Sequence, residues 1–176
     1  MHSIDDLIEA AWRARREGRH PEAERGLRQA VNASRQSGTG RQLVSALGKL
    51  VHVLRDLDRQ DEALPLSEES VRVSRGEGDG LLVAHTVRHL GDLHRDAGRL
   101  AEADRCYDEA LALYRAAEAP DALDFANALR PAALLRLSQD RRPEARALMS
   151  EARALYAQAG VDAGVEECAR LLARLE

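Results

Sequence analysis

Apolar residues recur along this chain at steps of three and four, in stretches of roughly fifteen residues separated by short polar breaks rich in Gly, Asp and Pro. That period predicts helices over Ile4 to Glu17, Pro21 to Gln36, Gln42 to Leu57, Asp61 to Ser74 and Leu81 to Ala97. It continues over Leu100 to Ala117, Leu123 to Ser138, Pro143 to Ala159 and Ala163 to Leu175. The stretch from Leu100 is the clearest: Ala103, Tyr107, Ala110, Leu111 and Tyr114 form one stripe, which Cys106 joins. Pro21 suits a first helical position, and Asp61 is the expected N-cap of its helix. Pro65 should disturb a first turn, and Pro131 should kink the helix that contains it.

The breaks inside alternate pairs of helices are written almost identically. Gly18-Arg19-His20-Pro21-Glu22-Ala23 returns as Asp58-Arg59-Gln60-Asp61-Glu62-Ala63, as Gly98-Arg99-Leu100-Ala101-Glu102-Ala103 and as Asp140-Arg141-Arg142-Pro143-Glu144-Ala145. Successive Glu-Ala pairs lie 40, 40 and 42 residues apart, a period that marks stacked supersecondary units instead of one globular core. The reading is an all-α solenoid, one domain of four antiparallel helix pairs over 3–40, 41–80, 81–121 and 122–160. A capping helix over 163–175 follows, with Val165, Cys168, Leu171, Leu172 and Leu175 at helical spacing.

In the third pair, Val87, Leu90-Gly91, His94, Ala103 and Tyr107 stand where the tetratricopeptide repeat has its Trp, Leu-Gly, Tyr, Ala and Phe. The chain resembles that family throughout its length, and its longer repeats are similar to those of kinesin light chains. The resemblance implies a right-handed superhelix whose first helices line a concave groove that binds a peptide or partner protein. In register, the groove positions are Asp5, Ile8, Trp12 and Arg15 on the first helix and Ser45, Lys49, His52 and Arg55 on the second. The third contributes His85, Arg88, His89, Asp92 and Arg95, and the fourth Asn127, Arg130 and Leu134. Some members of the family hold a terminal carboxylate with a clamp of Lys, Asn and Arg, a set that is incomplete here.

Composition narrows the partner. The chain is 44% hydrophobic and 32% charged with a net charge of −4, which gives no electrostatic case for nucleic acid or an anionic membrane surface. Cations nevertheless slightly outnumber anions on the groove positions, so the expected partner is a peptide or protein with an acidic residue or a terminal carboxylate. Two cysteines, no secretory signal and no apolar run approaching the ~20 residues of a membrane span point to the cytoplasm. The Leu-rich last helix is also suited to pairing across a two-fold axis, as in a homodimer.

No phosphate-binding Gly-rich loop or nucleophile elbow is present, and no cofactor or catalytic residue is expected. The chain reads as a non-enzymatic scaffold for protein binding. One alternative is a regulatory domain that senses a peptide through its curvature. Another is a metal-dependent enzyme centred on His85, His89 and Asp92, whose i, i+4, i+7 spacing can direct two imidazoles and a carboxylate to one ion.

Overall fold

The computed structural model describes residues 3–175. They form nine α-helices and, among the described residues, no strand: α1 (Ile4–Arg16), α2 (His20–Ser37), α3 (Gly40–Asp56), α4 (Gln60–Gly76), α5 (Gly80–Asp96), α6 (Leu100–Ala116), α7 (Ala122–Ser138), α8 (Arg142–Gln158) and α9 (Asp162–Ala173). The expected boundaries hold to within two residues.

Two kinds of N-terminus alternate. The first helices of the pairs start at side-chain caps: the Ser3 hydroxyl accepts from the Asp6 N–H at 3.1 Å, and the Asp6 carboxylate accepts from the Ser3 N–H at 3.0 Å. Thr39 and Gln42 repeat this box before α3. Asp79 accepts from the Leu81 and Leu82 N–H groups at 3.0 and 3.1 Å, and Asp121 from that of Asp124 at 2.9 Å.

The second helices start differently, at the arginine of the recurring phrase, with no side-chain cap bond. The expected cap Asp61 instead lies within the first turn of α4, and the N-cap is Arg59. The preceding residue turns left-handed: Gly18 and Gly98 have φ of 75° and 72°, and Asp58 and Asp140, the only non-glycines of positive φ among the described residues, both 58°. This turn lets the arginine N–H reach back five residues, Arg19 to Ala14, Arg59 to Leu54, Arg99 to His94 and Arg141 to Arg136, at 2.8–2.9 Å. The same arginine's carbonyl then accepts the first bond of the next helix, from Ala23, Ala63, Ala103 and Ala145. These four alanines are at most 1% exposed, so the methyl group leaves just enough space for the paired helices to approach.

The chain divides into two compact units, Met1–Thr86 and Val87–Glu176, with α5 crossing the division. In the first unit α1 packs on α2, α2 on α3 and α3 on α4, and the first helices α1 and α3 also touch. Leu27, Leu47, Leu50, Val53 and Leu54 fill its centre, each at most 1% exposed. Burial of such a side chain is worth about 1.5–3 kcal/mol. In the second unit α6 packs on α7, α7 on α8 and α8 on α9. Its core contains the predicted stripe of α6, all five residues buried, with Leu93, Phe125, Leu129, Met149 and Cys168. Cys106 is half-buried at the margin of that stripe.

Pro131 sits buried within α7, which runs unbroken from Ala122 to Ser138. In α4 the first-turn bond onto the Arg59 carbonyl is shared by the Glu62 and Ala63 N–H groups at 3.3 and 3.2 Å, whereas the corresponding bonds of the other second helices are single and 3.0 Å long. Pro65 lies inside this helix, two residues after Ala63.

In the last helix Gly164 and Cys168 are buried, while Val165, Leu171 and Leu172, and Leu175 just past its end, are only partly covered. No helix among the described residues is long and apolar enough to cross a membrane.

Close approach is handled by glycine on either side of a helix pair. A Cβ on Gly26 would lie 2.8 Å from the Ala11 Cβ, and one on Gly91 would meet the Tyr107 ring at 2.9 Å and the Cys106 Cβ at 3.1 Å. Gly91→Ala is therefore expected to cost about 1–3 kcal/mol in urea unfolding. Gly48→Ala, where a Cβ meets nothing within 4 Å, should stabilise by about 0.5–1 kcal/mol.

Acid should also weaken the fold. Hydrogen bonds from Arg59 and Arg141 hold the Glu62 and Glu144 carboxyls below their ordinary value. A pKa depressed in the folded state contributes stability above the unfolded value of about 4.3, which is lost as pH falls through the lower folded value. Burial pushes Asp108 the other way, but that is one group against several. Thermal melts are expected to show a midpoint that drops as pH is lowered through about 4.

Candidate functional site

The four first helices bring the expected groove residues together within each unit. In the first unit, one turn of α1 faces one turn of α3. Trp12 lies half-buried there, the Arg15 guanidinium 4.5 Å and the Lys49 ammonium 5.1 Å from its ring centre. The His52 ring stands 5.8 Å away at 57°. Two cations on one indole each gain about 0.5–1 kcal/mol from the ring quadrupole at a partly exposed site. Arg15 is also held by the Asp56 carboxylate, Nε at 2.6 Å and Nη2 at 3.1 Å, with His20 3.8 Å from the same group. Lys49 thus sets its ammonium against the face of the Trp12 ring. Asp5 accepts from the Gln42 amide at 3.0 Å, Ser45 is exposed and Arg55 half-buried, while Ile8 is buried in the core, 3% exposed, instead of lining the surface.

His85 is half-buried on the part of α5 that belongs to the first unit. In the second unit, the groove residues of α5 gather on Asp92. This carboxylate is 7% exposed and accepts a 2.8 Å hydrogen bond from the Tyr107 hydroxyl of α6. Arg88 lies 3.4 Å, Arg95 3.7 Å and His89 3.7 Å from it, and the Arg88 Nη2 is 2.9 Å from the His89 Nε2. Burial, then the neighbouring Asp92 charge, pushes the Tyr107 hydroxyl far above its ordinary pKa, so it remains a hydrogen-bond donor.

These bonds change the metal reading. Asp92 is committed to Tyr107 and to cations, and among the described residues no group of three or more His, Cys, Asp or Glu is placed to hold a metal ion. The spacing on one helix was correct, but the carboxylate turns inward.

On α7, Asn127 accepts from the Tyr156 hydroxyl of α8 at 2.9 Å, and Arg130 pairs with Glu167 of α9 at 2.5 Å. Leu134 is half-buried. The cationic excess of the groove positions is thus largely neutralised by Asp56, Asp92, Asp96 and Glu167. Periodicity does not signal Asp56 and Glu167 as partners, because those two pairs form between helices, whereas Asp92 and Asp96 pair within α5.

A further charged group was not foreseen. Arg136 is 2% exposed and pairs with Asp104 and, at 2.5 Å, with Asp108 of α6, while Glu144 of α8 lies at 3.7 Å. It occupies the register position of His94, where the family pattern has Tyr. Its signal in the sequence is a charged residue directly after the apolar run Ala132 to Leu135, inside the helical pattern. Arg141 adds a second cation to the same acid, 2.8 Å from Asp104, as Arg59 does to Glu24 in the first unit.

The tetratricopeptide repeat family model matches residues 42–116 and 82–158. The chain belongs to the tetratricopeptide repeat family. Solved structures carry the same fold at low identity. BtubC (BKLC) of P. vanneervenii superposes with a TM-score of 0.74 at 18% identity, covering 98% of this chain and 79% of that one. A Podosopora anserina chain of nearly identical kinesin-light-chain TPR-like repeats gives 0.72 at 16%, covering 99% and 95%. Aspartyl phosphate phosphatase F of Bacillus subtilis gives 0.83 at 13%, with 94% of this chain covered but 43% of that one, so this chain spans less than half its length. Comparison with curated protein sequences finds no match. The resemblance to kinesin-light-chain repeats read from the sequence is matched by the Podosopora anserina chain.

Within these tetratricopeptide repeats, Tyr107 contributes both core packing and a buried bond to Asp92. Tyr107→Phe keeps the ring and removes the donor, and is expected to lower stability by about 2 kcal/mol in chemical unfolding. Loss of no more than a few tenths would mean that the Asp92 charge is held by its cations alone.

Proposed function

We propose that this chain is a non-enzymatic interaction module whose first-helix surface binds an acidic peptide or an acidic segment of a partner protein. The observation that carries this reading is the Trp12 cluster. A half-buried indole flanked by a guanidinium and an ammonium combines apolar contact area with positive charge, the pairing found at the energetic centres of protein interfaces. Arg15 is held in place by Asp56, so part of the ordering cost of binding is met before the partner arrives. Lys49, the single lysine of the chain, contributes the charge that is available to an incoming carboxylate.

Trp12 is also the single tryptophan, so its emission reports on this surface alone. Affinity capture from native lysate is expected to retain a partner with the wild-type chain and lose it with Lys49→Glu, a partly exposed substitution that should leave far-UV circular dichroism unchanged. Titration of that partner's acidic segment should change the Trp12 emission saturably. Capture unaffected by Lys49→Glu, together with constant emission, would move the binding surface elsewhere.

A further inference from the structure

The turn between α1 and α2 carries a titratable group that its counterparts lack. His20 follows Arg19, and the residues at the same place in the other three turns are Gln60, Leu100 and Arg142, none of which changes charge near neutral pH. The His20 ring is half-buried, and its Nδ1 is closed off from solvent without a hydrogen-bond partner. That atom lies 3.8 Å from the Oδ2 of Asp56 on α3. The same oxygen accepts from the Arg15 Nε of α1 at 2.6 Å. Three helices thus meet on one carboxylate.

The charges beside His20 on its own turn are engaged with one another, Arg19 with both Glu17 and Glu22. Asp56 is the carboxylate that faces the ring from α3, and Arg15 of α1 is the cation on its other side. Arg15 has a second attachment, its guanidinium lying 4.5 Å from the Trp12 ring centre. How firmly Asp56 holds it depends on the charge of His20. A neutral imidazole leaves the carboxylate to Arg15. An imidazolium turns the unpartnered Nδ1 into a charged donor, and closing the gap from 3.8 Å to a charge-assisted bond of about 2.8 Å makes it compete for the oxygen that Arg15 holds.

We infer that His20, Asp56 and Arg15 form a proton-operated relay, in which protonation of His20 draws Asp56 away and releases Arg15, against the Trp12 ring, to an acidic partner. This rests on the peptide-binding reading above and adds its regulation. The sign follows from charge: a proton on His20 adds one positive charge to the cluster, so an acidic partner is held more tightly in weakly acidic solution. A glutamate side chain stays ionised down to about pH 4.3, so a change in affinity above that pH comes from the protein.

The relay is visible in the free chain. Nitrogen–proton NMR of the full wild-type chain, taken from about pH 8 to about pH 5.5 where imidazoles titrate, is expected to show the His20 ring and Arg15 Nε–H signals moving together. Trp12 emission should change over the same range. His20→Gln, which installs the residue of the second turn, should abolish that change. His52→Gln should preserve it, although that imidazole stands 5.8 Å from the indole. A static Arg15 signal while His20 titrates, or an emission change that survives His20→Gln, overturns the relay.

The binding probe is Ac-Ala-Glu-Ala-NH2, with Ac-Ala-Gln-Ala-NH2 as the neutral control. Its dissociation constant is expected to be several-fold lower at the acidic end of the range for the wild-type chain, and nearly the same at both ends for His20→Gln. Equal wild-type affinity at both ends overturns the regulation and leaves the peptide reading standing. Failure to bind at either end, with Arg15 still following His20, overturns the peptide reading and the regulation with it.

Discussion

Each helix pair is joined through the backbone of a single arginine. Its N–H closes the helix behind it and its carbonyl opens the helix ahead, so two helix ends that would otherwise expose orphan polar groups share one residue. Everything else in a repeat follows from that economy. The left-handed residue before the arginine sets the direction of the reversal, and the alanine four positions on must be small because the two helices meet there. The arginine side chain, released from capping, is then available for ion pairs, with the Glu three residues later in three of the four turns and with the preceding repeat at Glu24 and Asp104. At the fourth turn the side chain of Arg99 bonds His94, and the position equivalent to Glu24 is Leu64.

The surface chemistry is built on the same plan. Cations on two of the first helices are met by carboxylates from the helix stacked next to them, Arg15 by Asp56 of α3 and Arg130 by Glu167 of α9. Exposed pairs of this kind add little stability one at a time. Their effect is on orientation: long side chains that would otherwise sample many rotamers are held in one.

The fold was legible because repetition multiplies a weak signal. A single Arg-x-x-Glu-Ala turn would be ambiguous, whereas four at nearly constant spacing fix the nine helices to within two residues. The surface positions were legible to the extent that register carries them, and Trp12, Arg15, Lys49 and His52 do meet. What register could not supply is which residues pair between helices. Asp92 bonds Tyr107 fifteen positions away, Arg136 pairs 28 and more positions back, and Glu167 is 37 residues from Arg130. Asp61 was misread as a cap because its composition fits one, while the backbone of Arg59 had already taken that role. Ile8 shares the register of surface residues but turns into the core.

The turns within pairs are uniform, while the joints between pairs are not. The former are always three residues, 17–19, 57–59, 97–99 and 139–141, since a shared arginine allows no slack. The latter run over 38–39, 77–79 and 117–121, and the longest accounts for the 42-residue interval. Insertions and deletions can therefore accumulate at the joints between pairs and not at the turns within them. A lineage of such chains would be free to lengthen there, re-spacing one repeat against the next, while the three-residue turns within pairs stayed fixed as a ruler.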